Sequence, residues 1–236
     1  MIKRTLLTLF TLFILINGAL QAQKLGFIAG PQLNYGNIIS LDKNAIFQAL
    51  PNAGFHAGMM YEMDFSNRWG FDAAAMYEMR NMCWNMIYTE EGNETSNKFH
   101  RQIGYLNVPA HLFVYLTNND KGAFTLFAGP VFTCGLHARD LAYENGGLHK
   151  PVTYMDADMF SKDQGGRIMR CEFALELGFA YKWQKGFQFR ASYMHSLNNG
   201  TLNKYLYTLP MEYKSPTYFT QGEVKFSFVY LFDLRK

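Results

Sequence analysis

Charged side chains that could do chemistry stand at regular spacings in the second half of the chain. Glu172 and Glu176 are four residues apart, and Arg190 follows them in the next apolar segment. Two carboxyl groups can work as general acid and base, but no nucleophile or metal ligand accompanies this pair in the sequence. The plainer interpretation is ion pairing inside the protein, because a buried charge is costly unless it has a partner. We expect pairing, with Arg190 facing the two glutamates from the next strand.

Two histidines raise the alternative of an enzyme that transfers or hydrolyses acyl groups. Such chemistry needs a histidine beside a nucleophile or an activated water. His195 directly precedes Ser196, and His137 lies near the end of an earlier apolar segment. Neighbouring residues of a strand point to opposite faces, so adjacency does not make His195 and Ser196 a catalytic dyad. We therefore predict no catalytic residue.

A group of aspartates resembles part of a calcium-binding loop. Asp156, Asp158 and Asp163 lie close together in one polar segment. The EF-hand pattern fails at Phe160 and lacks the glycine that its sharp turn requires. We expect a solvated acidic loop, and we predict no metal site and no cofactor.

The charged residues belong to segments in which bulky apolar residues alternate with small or charged ones. Leu175 and Leu177, for example, alternate with Glu176 and Gly178. A period of two places the two sets on opposite faces of a β-strand. Eight segments have this pattern: Leu25–Tyr35, Asn52–Met63, Trp69–Arg80, Gln102–Leu116, Ala123–Leu136, Arg170–Trp183, Phe187–Leu197 and Phe219–Phe232.

The links between these segments are alternately short and long. The short ones are rich in turn residues, as hairpins require: Asp64–Arg68, Thr117–Gly122 and Gln184–Gly186. The others are expected to be long polar loops: Gly36–Pro51, Asn81–Arg101, Ala138–Met169 and Asn198–Tyr218. With eight strands, all short links fall at one end and all long links at the other. That asymmetry is typical of barrels that cross an outer membrane.

The face that carries small residues and charges is expected to line the interior of the barrel. A soluble barrel such as a lipocalin would place the apolar face inside, but eight strands enclose too little room for so many bulky side chains. The opposite face holds Gly26, Gly58 and Gly178, and a narrow interior needs such small residues. Its charges have both signs and can pair: Glu62, Asp72, Glu78, Arg80, Arg170, Glu172, Glu176, Lys182, Arg190, Glu223 and Lys225.

Aromatic residues cluster at the strand ends away from the long links. Membrane proteins place aromatic side chains at the membrane–water interface. We predict a periplasmic aromatic girdle of Trp69, Phe71, Phe124, Trp183, Phe187 and Phe232. The two histidines at the opposite ends, His137 and His195, are expected at the other interface.

The N-terminus and the composition agree with an exported barrel. Lys3 and Arg4 precede the apolar run Leu6–Ile16, so residues 1–22 are expected to be a signal peptide and 23–236 a single barrel domain. Removing those two cations leaves 20 basic against 19 acidic residues, which gives no reason to expect nucleic acid. Aromatic and charged residues each make up 17% of the chain. Soluble domains carry about 25% charged residues, so the low charge content and many aromatic residues favour strands with one apolar face.

Three cysteines leave a disulfide open. Cys134 and Cys171 lie on the apolar parity of adjacent strands, at the two ends of one long link, so they could face each other. An oxidising compartment permits a bond between them. Opposed strand residues seldom meet disulfide geometry, however, and we favour free thiols. The spacings, Cys83 included, fit no metal or redox motif.

Four motifs carry a resemblance to a known family. They are LGFIAG at 25–30, YLNVPA at 105–110, LELGFAY at 175–181 and FSFVYLF at 226–232. Across the expected mature chain the sequence resembles the small outer-membrane β-barrels of Bacteroidetes-type bacteria, the PorT-like or "porin family" domain, similar in shape to the OmpX and OmpA barrels. The resemblance implies an all-β, eight-stranded antiparallel up-and-down transmembrane barrel, inserted by the barrel-insertion machinery. It also implies a role as an accessory of a protein-secretion system.

The residues and the resemblance together predict an integral protein of the cell outer membrane with a structural or interaction role. Its partners would be outer-membrane lipid and a surface or secretion-system protein, and its lumen would be plugged by paired charges. Two alternatives remain open at this stage: a narrow pore for small solutes and a lipid-modifying enzyme of the outer membrane.

Overall fold

The alternating segments fold into antiparallel strands. The computed structural model describes residues 22–40, 45–90, 93–144, 152–154, 170–183, 185–197, 200–202 and 217–234. These residues contain eleven strands: β1 (Ala22–Ser40), β2 (Ala45–Leu50), β3 (Asn52–Asp64), β4 (Trp69–Glu90), β5 (Asn93–Asn119), β6 (Gly122–Glu144), β7 (Val152–Tyr154), β8 (Cys171–Trp183), β9 (Phe187–Ser196), β10 (Gly200–Leu202) and β11 (Thr217–Asp233). Within the described part of the chain, no helix is long and apolar enough to cross a membrane.

Eight of these strands close on themselves. Each pairs with the next in the order β1-β3-β4-β5-β6-β8-β9-β11, and β11 returns to pair with β1 from Lys24↔Asp233 to Ser40↔Thr217. The short strands β2, β7 and β10 extend the sheet by pairing with β4, β6 and β11. Closure removes the free sheet edges and gives the backbone groups partners, as a hydrocarbon environment demands. The predicted eight-stranded antiparallel barrel is confirmed.

The burial of side chains alternates along the strands as the sequence period predicts. In β8, Phe173, Leu175 and Leu177 are 55%, 52% and 62% exposed, while Glu172 and Glu176 are buried. The apolar face therefore points outward and the charged face points into the barrel.

Short links lie at one end of the barrel, called here the inner end, and the long links lie at the outer end. Turn residues shape the short links: the Ser66 hydroxyl accepts hydrogen bonds from the backbone N–H groups of Arg68 and Trp69, both at 3.2 Å. Gly186 has a φ of 84°, a left-handed conformation that glycine adopts without strain. Its carbonyl accepts a hydrogen bond from the N–H of Leu231 at 2.9 Å, which ties this turn to β11.

The expectation of a long polar loop at Asn81–Arg101 is wrong. β4 continues to Glu90, β5 starts at Asn93, and the two pair without interruption from Arg80↔Ile103 to Glu90↔Asn93. The link Gly36–Pro51 likewise contains the end of β1 and all of β2, and β6 extends into the expected loop Ala138–Met169 as far as Glu144. The stretch from Trp84 to Thr89 is rich in residues that favour strands, but apolar residues fall on both parities and hide the period.

Small inward residues allow the barrel to be narrow. Gly178 lies against the ring of Phe127 and the side chain of Ser192, and a Cβ atom added there would collide with both. A Cβ atom added to Gly58 would likewise collide with the backbone of Ala75 and Met76 on the adjacent strand. The interior is therefore filled by side chains from larger neighbours rather than left open.

Candidate functional site

The charged side chains of the lumen form three clusters stacked from the outer to the inner end. The outer cluster consists of Glu78, Arg80, Glu172, Glu223 and Lys225, the middle cluster of Asp72, His111, Glu176 and Arg190, and the inner cluster of Lys24, Glu62, Asp64 and Lys182.

Arg80 is the centre of the outer cluster. Its side chain on β4 is completely buried, and its guanidinium contacts the carboxylates of Glu78 and Glu223 and, at 3.1 Å, that of Glu172. The planar guanidinium suits this task because it presents five N–H donors in a fixed fork. The Cζ atom of the Arg80 guanidinium also lies 4.3 Å from the centre of the Tyr105 ring, as in a cation–π contact. One cation therefore holds carboxylates from three strands together.

Lys225 and three neutral donors complete the outer cluster. The Lys225 ammonium lies 2.9 Å from Glu78 and 3.4 Å from Glu223. The Tyr105 hydroxyl and the Gln221 amide donate to Glu172, and the Asn107 amide donates to Glu78 at 2.5 Å. Neutral donors are needed because the cluster has three carboxyl groups, on Glu78, Glu172 and Glu223, but only two cations, Arg80 and Lys225.

The middle cluster crosses the lumen from β9 to β4. Both terminal nitrogens of Arg190 contact Asp72, at 2.9 and 3.3 Å, and His111 contacts the same carboxylate at 2.8 Å. The Ser192 hydroxyl donates to Glu176 at 2.6 Å, and Glu176 also lies 3.7 Å from Lys225. The middle and outer clusters are therefore continuous.

The expected pairing of Arg190 with Glu172 and Glu176 is wrong. The register of β8 and β9 places Arg190 opposite Ala180 and places Glu176 opposite Met194. Arg190 consequently lies four residues nearer the inner end than Glu176, and it reaches across the lumen to Asp72.

The inner cluster opens toward the short turns. Lys182 contacts Glu62 at 2.9 Å and lies 3.7 Å from the centre of the Phe113 ring, and Lys24 contacts Asp64 at 3.2 Å and Glu62 at 3.4 Å. A cavity of about 190 Å³ adjoins these groups. Lys24 is the most exposed of them, so water reaches this end of the lumen.

A closed eight-stranded barrel with an apolar outer face and a charged interior is the architecture of an outer-membrane protein. The sequence profile of the family described as outer membrane protein beta-barrel domain matches residues 21–201. The chain belongs to this family. The match supports a small outer-membrane barrel and does not resolve the PorT-like group. No curated protein matches the sequence.

Several solved structures are similar to the chain. Ail, the attachment invasion locus protein of Yersinia pestis, is 14% identical with a TM-score of 0.40, and the match covers 90% of this chain and 100% of Ail. OprG of Pseudomonas aeruginosa is 12% identical with a TM-score of 0.44, covering 90% and 97%. LpxR of Salmonella typhimurium is 8% identical with a TM-score of 0.27, covering 87% and 99%.

Family membership places the outward apolar face of this outer-membrane barrel against lipid. At the inner end, Trp69, Trp183, Phe187 and Phe232 are about half exposed on that face, and Phe71 and Phe124 are partly buried beside them. The ring of Phe187 lies 4.6 Å from that of Tyr230, which in turn lies 4.7 Å from Phe232. The six predicted girdle residues therefore share one end and one face.

Ten of the eleven charges assigned to the lumen from the sequence are buried there, and Arg170 is exposed instead. Arg170 precedes the first residue of β8, so the alternation of that strand does not orient its side chain. The predicted lumen network lacks six residues of the clusters: Lys24, Asp64, Tyr105, Asn107, His111 and Gln221. Lys24 and Asp64 lie at strand ends where the period is weak, and Tyr105 looks like an outward residue because it is bulky.

The two histidines considered for catalysis lie on the outer face. His137 is exposed and hydrogen-bonded through Nε2 to the Tyr77 hydroxyl at 2.9 Å. His195 is exposed next to Tyr193, while Ser196 is buried on the opposite face of β9. The structure does not bring His195 and Ser196 together.

The part of the chain that the structure describes contains no set of side chains suited to bind a metal ion. No group of three or more His, Cys, Asp or Glu side chains there could hold a metal ion. The aspartates 156, 158 and 163 lie outside the described residues, as does the expected signal sequence up to residue 21.

Proposed function

We propose that this chain is a surface-interaction protein of the outer membrane, neither a pore nor an enzyme. The supporting observation is the stack of three clusters of buried ion pairs, which lies in the lumen from Glu172 near the outer end to Glu62 near the inner end. Arg80, Glu78 and Glu62 are fully buried. An eight-stranded barrel has room for side chains or one small ligand, and here side chains take it.

The strands that continue beyond their neighbours support an interaction role. β4 has 22 residues and β5 has 27, while a tilted strand crosses the bilayer in about 9–11 residues. Roughly ten residues of β4, or ~30 Å of strand at ~3.3 Å per residue, therefore extend outward. β2 pairs with the extended part of β4, and β7 with that of β6. We call the outer parts of β4, β5 and β6, together with β2 and β7, the projecting sheet.

The partner that we propose for the projecting sheet is a protein of a secretion system, for which the barrel would serve as an accessory. The resemblance to PorT-like barrels motivates this finer proposal. A paired sheet presents a fixed surface rather than a mobile loop, so binding would order few additional residues.

Labelling of single cysteines tests the orientation on which this role depends. In a background with Cys83, Cys134 and Cys171 replaced by alanine, we expect Lys98→Cys on the projecting sheet to react with a membrane-impermeant maleimide on intact cells. The matched variant Lys121→Cys, exposed in an inner turn, should react only after the outer membrane is permeabilised. Equal labelling of both variants on intact cells would contradict the orientation.

Planar bilayer recording tests the closed lumen. We expect the purified, folded protein to give no steady unit conductance, because the paired charged side chains of the three clusters fill the lumen. Reproducible conductance steps would overturn this part of the proposal in favour of a narrow pore. Turnover of purified outer-membrane glycolipid that is lost in His137→Ala or His195→Ala would instead support an enzyme.

A further inference from the structure

The two cysteines at the outer end of β6 and β8 lie directly opposite each other. Cys134 pairs with Cys171 in the register of these strands, and the two Sγ atoms are 3.8 Å apart. Cys171 is exposed and Cys134 is partly buried. The two thiols thus share the outer surface of the barrel without an intervening side chain.

The hydrogen-bond pattern makes this pair suitable for a covalent link. The N–H of Gly135 donates to the carbonyl of Arg170 at 2.6 Å, so 135 and 170 form a hydrogen-bonded pair and the adjacent Cys134 and Cys171 a non-hydrogen-bonded one. Such pairs bring their Cα atoms to about 4.5 Å, within the ~4.4–6.8 Å that disulfides span. The sulfur–sulfur gap of 3.8 Å is the distance that a disulfide would have to close.

The position of the pair is the point where two strands part. β8 begins at Cys171, while β6 continues past Cys134 to Glu144 with β5 as its partner. Between Gly135 and His137, β6 also shifts register against β5, so Leu136 is an extra residue there. Local opening costs least at the ends of secondary-structure elements, and a bond between Cys134 and Cys171 would fasten such an end.

We propose that Cys134 and Cys171 form a disulfide in the mature protein, which closes the link 135–170 covalently at its base. An outer-membrane protein passes through an oxidising compartment on its way to the membrane. There, before the barrel is inserted, the Cys171 thiolate attacks a protein disulfide oxidant and forms a mixed disulfide, and Cys134 then attacks the Cys171 sulfur and displaces the sulfur of the oxidant. The chain's dithiol becomes a disulfide, and the oxidant's disulfide becomes a dithiol, which takes up the two electrons and two protons.

Cys83 provides an internal reference for the count of thiols. It is buried on β4, where its paired neighbours are Leu50 and His100. The bond therefore leaves one free thiol in each chain.

The test counts thiols in full-length protein taken from outer membranes in the presence of a blocking alkylating agent. In denatured wild-type protein we expect one thiol to be alkylated. If a second sample is denatured and reduced before alkylation, we expect three. Cys83→Ser should give none and then two, and Cys134→Ser should give two under both conditions. Peptide mapping should link 134 to 171, and a heat shift of Cys134→Ser on gels checks that the barrel still folds.

Three outcomes would overturn the disulfide. They are three free thiols in wild-type protein that remain free after incubation with excess oxidised glutathione, a mapped link that includes Cys83, and a bond between two chains. None of them bears on the closed lumen or on the projecting sheet, so failure of the disulfide is separate from failure of the proposed function.

Discussion

Replacing Arg80 by glutamine is expected to lower the free energy of unfolding of the barrel by about 3–5 kcal/mol, the range for removing one partner of a buried ion pair. Arg80 contacts Glu78, Glu172 and Glu223, and all three lie inside the lumen. Glutamine keeps hydrogen-bonding groups but no charge, so Lys225 alone would face these carboxylates. Urea titration of protein in lipid vesicles, with the folded fraction read from the heat shift on gels, measures the loss.

Lys121→Gln is the matched control for Arg80→Gln. It removes one positive charge from an exposed inner turn, where substitutions usually change stability by less than ~0.5 kcal/mol. Equal effects of the two substitutions would refute the assignment of the charged face to the interior.

A second substitution separates charge balance from packing. Glu78, Glu172, Glu176 and Glu223 face Arg80 and Lys225 directly, so carboxylates outnumber their charged partners. Glu172→Gln has nearly the same shape and removes one negative charge beside Arg80, so we expect it to recover part of the stability lost in Arg80→Gln. No recovery in the double variant would show that Arg80 acts through its packing against Tyr105 instead.

The period of two predicts which side chains enter the lumen but not which of them meet. Each strand assigns its residues to a face from local information alone. The contact between Arg190 and Asp72 depends on the register of β8 with β9 and on the tilt of the strands around the barrel, which bring β9 and β4 together across the axis. Register follows from hydrogen bonding along every pair in the closed sheet, and one sequence does not display it.

The projecting sheet was missed for a different reason. A strand buried on one face alternates apolar and polar residues, whereas Met82, Cys83 and Trp84 are consecutive and all buried. β2 pairs with this part of β4 along its edge, and residues of both parities are buried there. With both faces covered, the alternation disappears, and the segment reads as an irregular link although its strand propensity is high.

The second large effect is expected on the lipid-facing surface. Leu177 lies at the middle of β8 and is 62% exposed. In a water-soluble barrel, arginine at such a position would change stability little, because exposed positions tolerate charge. At the midplane of a membrane, arginine on a barrel strand costs about 2–4 kcal/mol, and we expect Leu177→Arg to destabilise the protein by that amount.

Leu234 offers a control with the same chemistry at a different depth. It is 53% exposed and follows the end of β11 at the inner end of the barrel, where the cost of arginine falls to about 0–1 kcal/mol. Urea titration of both variants in vesicles measures their free energies of unfolding. Because the two leucines are nearly equally exposed, a difference between these free energies reports the depth of the position in the bilayer. Equal stability of Leu177→Arg and Leu234→Arg would mean that water covers the middle of β8. The same pair measured in detergent micelles should differ less, because a micelle adapts to a buried charge more readily than a bilayer does.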